Sequence, residues 1–342
     1  LGALLSKPHA PRHILALAPN WVGDVAMCTP ALRALARCFP EARLTVAARQ
    51  SGCDLLAGLP WISDTLPITA RPGLGEIRAA TKRLGARPDL AVVFPHSFRA
   101  ALFAWCAGAS VRVGYDRGGR AWLLTERVAP HREAGRITPI YMADEYLGLV
   151  RAIGAEDDGA GLELAVDPAA DAEVCAALPE GGPVIAFCPG AAFGPSKCWP
   201  AERFAAVADA LHEQRGARCL LLTGPGEEET RAAVLRAAKH PLIDLQGARP
   251  SLAKLKAAIA RADLLIGNDS GPRHIAIAFK RPVICIMGPT SPRYTTSPYE
   301  RGEVLRVEVP CGPCQKPICA TDHRCMTSIT PEQVVSAALR WI

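Results

Sequence analysis

No apolar run in the sequence approaches the roughly 20 residues of a membrane-spanning helix; runs such as Cys219–Leu222 and Val283–Met287 stop well short. Leu1–Leu5 is too short for a signal-peptide core and has no basic start, so the expectation is a cytoplasmic chain. The adjacent Gly-Lys-Ser/Thr of a P-loop is missing, because Lys197 follows Ser196 and precedes Cys198, which disfavours an NTPase. No G-x-G-x-x-G follows an expected strand, so dinucleotide-dependent redox chemistry lacks its signature. Aromatic residues make up only 6% and the basic residues are spread out, so no nucleic-acid partner is expected.

What is present fits a soluble two-domain chain: 342 residues, 49% hydrophobic and 21% charged. The net charge of +6 is weighted toward the first half, from Arg71, Arg78 and Lys82 through Arg112, Arg117 and Arg136. Such a spread marks solvated faces or an attraction to an acidic acceptor or anionic membrane surface. Most of the thirteen cysteines sit in apolar contexts and read as small buried hydrophobes in a reducing compartment. Four cluster as C-x2-C-x4-C-x5-C: Cys311, Cys314, Cys319 and Cys325, with His323 before the last. Structural zinc, disulfides and free thiols all remain open for them.

The most informative stretch is 262–292. An apolar strand (Leu264–Ile266), a polar turn (Gly267–Gly271), a helix (Pro272–Phe279) and a second apolar strand (Val283–Met287) make a βαβ unit. Continuous apolar strands flanking a helix signal an α/β fold with a parallel sheet buried on both faces. Ligands bind such sheets beyond the carboxyl ends of the strands, where Asn268, Asp269, Ser270 and Gly271 fall. A helix amino end there suits a phosphate or diphosphate, with His274 one turn in. The plainer reading makes Asp269 or Ser270 only an N-cap.

The same arrangement is expected near the start. Ile14–Ala18 reads as a strand, Asp24 as a turn residue able to act as a general base, and Thr29-Pro30 as the opening of a helix through Cys38. Further strands are expected at Leu44–Ala48, Leu90–Phe94 and Val111–Tyr115. His96, Ser97 and Arg99, after the Leu90–Phe94 strand, and Arg120, closing a glycine-arginine loop, are the candidate acceptor contacts. Composition shifts across 152–183, and Gly181-Gly182-Pro183 reads as a final hinge; the domains are placed at 1–170 and 171–342. In the second, Val184–Cys188 restarts the sheet and Pro189–Pro200 forms a glycine-rich anion loop with Lys197 as a point charge. Trp199-Pro200 opens a helix, Cys219–Leu222 is a strand ending before Glu227 and Glu228, and Leu242–Leu245 is one more short strand.

Three segments together are specific: VGDVAMCTPALRAL, PGAAFGPSKCWP and NDSGPRHIAIAFKRPVICIMGPTSPRYT. In these the chain resembles the ADP-heptose:lipopolysaccharide heptosyltransferases of glycosyltransferase family 9, most of all the heptosyltransferase II branch, from about Ile14 to Val335. The resemblance implies a GT-B fold of two Rossmann-like domains across a cleft, the first for acceptor and the second for nucleotide sugar. It implies inverting transfer of heptose from ADP-heptose to the lipopolysaccharide inner core, without a catalytic metal, by a cytoplasmic enzyme in peripheral contact with the inner membrane. Carried over by position, the base falls on Asp24, the diphosphate-contacting lysine on Lys197, and the donor motif on Asp269, Ser270, Gly271 and His274. The nucleotide-side acid falls on Glu227 or Glu228. Pro272-Arg273 departs from the apolar pair of many relatives, and Arg273 either adds or blocks a contact. The last helix, 331–342, is expected to pack toward the first domain. The competing readings are a transferase for another nucleotide sugar or acceptor and a nucleotide-sugar binding protein without turnover.

Overall fold

The computed structural model describes residues 10–245 and 251–342, and Leu1–Leu5 lies outside them. Two compact units result. One runs to Leu164 and takes in Arg293–Thr295; the other comprises Ala165–Pro292 and Thr296–Ile342.

The first unit is built on six parallel strands: β1 (His13–Leu17), β2 (Arg43–Ala48), β3 (Asp64–Pro67), β4 (Leu90–Val93), β5 (Val111–Tyr115) and β6 (Glu126–Val128). They lie in the order β3-β2-β1-β4-β5-β6. Every residue of β1 and β4 is buried, as expected of central strands covered on both faces. Leu15, Leu17 and Val93 pack with Ile77 and Ala80 of the helix Leu74–Arg83 and with Phe103 and Ala104 of the helix Phe98–Cys106. Ile14 and Ala16, alternating with these along the strand, are equally buried. A short antiparallel pair, β7 (Arg132–Glu133) and β8 (Arg136–Ile137), precedes the helix Met142–Arg151.

The helix after β1 differs from its expected start. It spans Val22–Cys38, so Asp24 lies in its first turn and Pro30 in its interior. An interior proline leaves the carbonyl four residues back without its N-H. That carbonyl belongs to Ala26, and the Thr29 hydroxyl donates to it at 2.7 Å. Thr29-Pro30, locally indistinguishable from an N-cap and first-turn proline, is therefore a repaired interior pair. The Thr29 hydroxyl also accepts from the Glu163 N-H at 3.0 Å, fastening the chain's return segment to the helix.

The second unit holds five parallel strands: β9 (Val184–Cys188), β10 (Arg218–Leu221), β11 (Leu264–Asn268), β12 (Val283–Met287) and β13 (Gly302–Arg306), in the order β10-β9-β11-β12-β13. Phe204, Val207, Ala208 and Leu211 of the helix Ala201–Arg215 lie in the core with Ile185, Phe187, Ile266 and Ile284, as the helical stripe predicts. Burying a side chain of this size contributes about 1.5–3 kcal/mol.

Two expectations are corrected here, the domain boundary and one strand. The helix Pro168–Ala177 spans the expected boundary at 170, yet belongs to the second unit. Its Asp171 accepts two bonds from Arg261 at 2.7 and 2.8 Å, a tertiary attachment invisible in local composition. Leu242–Leu245 is not a strand: Ile243 alone bridges Leu220. Asp244 is drawn off the sheet to accept from Arg231 Nε at 2.7 Å. The closing helix Pro331–Ala338 inserts Val334, Ala337 and Ala338 into its own unit's core, beside the helix Ala201–Arg215.

Candidate active site

The order of each sheet fixes where a ligand can sit. In the second unit the connections reverse direction between β9 and β11, and such a reversal opens a crevice at the strand carboxyl ends. Beyond β9 lies the loop Pro189–Lys197, and beyond β11 lie Asp269, Ser270 and the helix Gly271–Ala278. Asn268 ties the two ends together: its side-chain amide donates to Pro189 O at 2.6 Å, and its Oδ1 accepts from the Trp199 N-H at 3.1 Å.

Lys197 closes that loop. Its ammonium donates to the Asp269 carbonyl and to Asp269 Oδ2, both at 2.8 Å, and stands 5.2 Å from the Phe193 ring centre. The Asp269 carboxylate is only 2% exposed. Besides Lys197 it accepts from the Thr290 hydroxyl on Oδ2 at 2.7 Å and from Arg273 Nη1 on Oδ1 at 2.8 Å. Arg273, fully buried, turns its other edge to Glu300 in a two-point contact at 2.7 and 2.7 Å. Lys197, Asp269, Arg273 and Glu300 thus form a chain of alternating charge. Burial alone would raise the Asp269 pKa, but the Lys197 ammonium and Arg273 guanidinium outweigh it and hold the carboxyl well below the usual range.

Beside this chain two polar atoms are buried with no protein partner, Ser270 Oγ and His274 Nδ1. Buried polar atoms are normally satisfied, so this pair at a helix amino end leaves hydrogen-bonding capacity for a ligand. Burial, aided by the Arg273 charge, lowers the His274 pKa to about 3, so its ring is neutral at physiological pH.

The two candidate glutamates are packed differently. Glu227 folds back, its Oε2 accepting from the Gly224 N-H at 2.7 Å, and burial raises its pKa. Its carboxylate lies against Gly190, where an added Cβ would come within 1.9 Å of it. Glu227 therefore faces the loop after β9. Glu228 is exposed and accepts from the Gly226 N-H at 3.1 Å as a local turn contact.

In the first unit the reversal falls between β1 and β4, and it gathers Asp24 and His96 from the two strand exits. Asp24 is partly exposed above the buried Cys28 thiol and Tyr146 phenol; burial first, then the Asp24 charge, pushes both of those pKa values up. His96 Nε2 lies 2.7 Å from Glu145 Oε1, close as charges but not aligned as a hydrogen bond.

The other expected acceptor contacts divide. Arg99 is exposed and donates to Pro72 O at 3.2 Å. Ser97 caps the helix Phe98–Cys106, accepting from the Ala100 N-H at 3.3 Å. Arg120 is a correction: it is completely buried and spends its guanidinium on the Tyr115, Pro95 and Ser97 carbonyls. Burial lowers its pKa to about 10, and its fork holds the strand-end loop together rather than reaching an acceptor.

Cys311, Cys314, Cys319 and Cys325 line one cavity of about 110 Å³ with His323 and Ser196. None is in a disulfide. Among the described residues no three His, Cys, Asp or Glu side chains are grouped to hold a metal ion. Their loop does grip the loop after β9: Ser196 N-H donates to Pro317 O at 3.0 Å, Ser196 Oγ donates to Lys316 O at 2.6 Å, and His323 Nε2 lies 2.7 Å from Ser196 O.

Sequence reasoning missed Glu300, Thr290 and Phe193, which sit at no motif spacing from their partners. It placed Asn268 at the strand end without its two bonds to backbone.

Two open parallel sheets, each with polar groups converging at its reversal point, define an α/β protein of the GT-B class. A family model described as glycosyltransferase family 9 (heptosyltransferase) matches residues 77–324. The chain is 31% identical to the lipooligosaccharide heptosyltransferase 2 of Haemophilus influenzae, over 86% of this chain and 88% of that one. It is 30% identical to the lipopolysaccharide heptosyltransferase 2 of Escherichia coli K12, over 94% and 96%. The solved Escherichia coli ADP-heptose lps heptosyltransferase II superposes with a TM-score of 0.80 at 28% identity, covering 96% of this chain and 98% of that one. The chain belongs to glycosyltransferase family 9, the heptosyltransferases.

Proposed function

We propose that this glycosyltransferase moves a heptose from ADP-heptose to the inner core of lipopolysaccharide, with inversion and without a catalytic metal. The observation that carries the donor side is the Lys197 ammonium, anchored on Asp269 beside the unsatisfied Ser270 Oγ and His274 Nδ1 at a helix amino end. A diphosphate is the ligand such a set suits: a point charge, a hydroxyl and an imidazole at the positive end of a helix. Glu227 stands beside the same loop as an acceptor for ribose hydroxyls.

Asp24 serves in this reading as the general base. It takes the proton of the acceptor hydroxyl as that oxygen attacks the anomeric carbon opposite the departing ADP. An ordinary carboxylate, with a pKa of about 3.9, is ionised but only modestly basic. Most of the acceleration therefore comes from alignment of the reactants and from charge stabilisation of the leaving diphosphate by Lys197. His96 and Arg99 remain the acceptor-side candidates. The Cys311–Cys325 loop acts structurally, as a clamp on Ser196, and a zinc equivalent found on metal analysis of the purified chain would add an ion to that clamp.

No helix among the described residues is long and apolar enough to cross a membrane. Peripheral contact with the inner membrane is supported by exposed aromatic residues in the first unit. Phe98 and Trp122 are 40% and 64% exposed with ring centres 5.9 Å apart. Aromatic rings of this kind favour a membrane interface.

Calorimetric titration with ADP and ADP-heptose, beside UDP and GDP sugars, tests the reading. Selective binding of the ADP forms is the expected result. Preference for another nucleotide would keep the fold and overturn the substrate.

A further inference from the structure

Lys197 is useful to a departing diphosphate only if its ammonium is held in one place, and among the described residues its carboxylate contact is Asp269 Oδ2. A carboxylate can rotate about its own bond. Asp269 cannot do so freely, because its second oxygen is pinned by Arg273 Nη1 at 2.8 Å. Arg273 in turn cannot swing, because Glu300 takes its Nε and Nη2 in a two-point contact at 2.7 and 2.7 Å. Such fork-to-fork contacts fix the guanidinium plane as well as its position.

The placement of these groups goes beyond what burial requires. Arg273 is 0% exposed, and Glu300 comes from the segment between β12 and β13, remote in sequence from the donor turn. Arg273 also sits on the helix Gly271–Ala278, whose amino end presents Ser270, and is chain neighbour to His274. A single apolar side chain at 273 would fill the space, but it would leave Asp269 Oδ1 and the Glu300 carboxylate buried without partners. Uncompensated buried charges of that kind are among the costliest defects a fold can carry.

We propose that Arg273 and Glu300 are positioning residues for the donor site: Glu300 orients Arg273, Arg273 locks the Asp269 carboxylate, and Asp269 sets the Lys197 ammonium at the diphosphate. Neither Arg273 nor Glu300 touches the donor in this arrangement; both act through Asp269. The inference rests on the functional reading above for the identity of the ligand, and it adds the two residues that determine where the cation stands. It answers the departure at Pro272-Arg273: the arginine neither adds nor blocks a donor contact, but faces inward as the centre of the charge chain.

The test is ADP calorimetry and steady-state kinetics on the full chain with Arg273→Met, Arg273→Lys and Glu300→Gln. Loosening an aligned group by about 1 Å costs roughly 10²-fold. Arg273→Met is therefore expected to raise the ADP Kd and the donor KM by roughly tenfold to a hundredfold, with the acceptor KM unchanged and one binding site per chain retained. Arg273→Lys, which returns a cation to Asp269 Oδ1, should recover most of the loss. Glu300→Gln should shift the same two constants in the same direction by less, and it carries the test if Arg273→Met does not fold. A purely structural role would reduce the number of competent sites or the melting temperature while leaving the donor constants of the remaining sites as in the wild type. That pattern, or an ADP Kd within twofold of wild type in folded Arg273→Met and Glu300→Gln, overturns the inference. Wild-type protein that binds no ADP would instead overturn the functional reading.

Discussion

Asp24 and Asp269 occupy like positions in two like units, yet they are opposite kinds of group. Each follows a central parallel strand at the point where the sheet reverses, and each stands at or near the start of the next helix. Asp269 is enclosed, its oxygens committed to Lys197, Thr290 and Arg273. Asp24 is partly exposed over the Cys28 thiol and Tyr146 phenol. The enclosed aspartate is a fixture that holds a cation; the other keeps part of its surface toward solvent, as the general-base proposal requires. Burial and the charges packed alongside, rather than residue type or topological place, decide which job an aspartate does.

The largest expected effect separates the two by rate. Asp24→Ala should lower turnover by roughly 10²–10⁴-fold, the usual worth of a general base, while ADP affinity and the denaturation midpoint stay near wild type. Full activity in that variant would remove Asp24 from the chemistry and break the comparison. Stability draws the opposite contrast. Asp269→Ala leaves Lys197 and Arg273 facing each other across a buried gap, so urea unfolding should show a loss of about 3–5 kcal/mol. An Asp269→Ala variant as stable as Asp24→Ala would mean that water, not protein, satisfies that carboxylate.

A smaller effect is readable in pH. His274 has a folded pKa of about 3 against roughly 6.5 in an unfolded chain. Between these values the unfolded state binds one proton more, so this group's contribution is present above about pH 6.5 and is lost as pH falls, by about 1.4 kcal/mol per unit. Asp269, also depressed, contributes stability above roughly pH 3.9 and loses it only below that. Between pH 4.5 and 6 the slope of the urea midpoints also carries His13, whose pKa burial lowers, and Glu227, whose pKa burial raises, so the His274 share is read as the difference between wild type and variant. His274→Gln should flatten the slope there, and an unchanged slope would assign it elsewhere.

These contrasts also show what the sequence could reveal. The central strands were legible because their apolar runs are unbroken, whereas the edge strands Asp64–Pro67, Glu126–Val128 and Gly302–Arg306 have no such run; the turn with Asp269, Ser270 and His274 was legible as the polar link between two of the apolar runs. Thr29-Pro30 misled because the rule for proline is local, whereas the hydroxyl that repairs the helix acts on Ala26 one turn back. Arg120 read as a binding residue because arginines usually reach solvent; three carbonyls brought together by folding made it a core residue. The boundary near 170 failed for a similar reason. Composition shows where a chain becomes loop-like, but Arg261 at Asp171 determines which core claims the helix. Glu300 was beyond reach, since nothing in its neighbours announces a partner in the donor turn.

Gly190 has a consequence for anyone who evolves or recombines this enzyme. Even the smallest side chain there would put a carbon within 1.9 Å of the Glu227 carboxylate. That carboxylate is the far end of a flexible side chain, so a residue at 190 is admitted only if Glu227 swings it away from the Gly224 N-H. Positions 190 and 227 are therefore coupled, and a foreign loop grafted after β9 is best carried together with the acid that faces it.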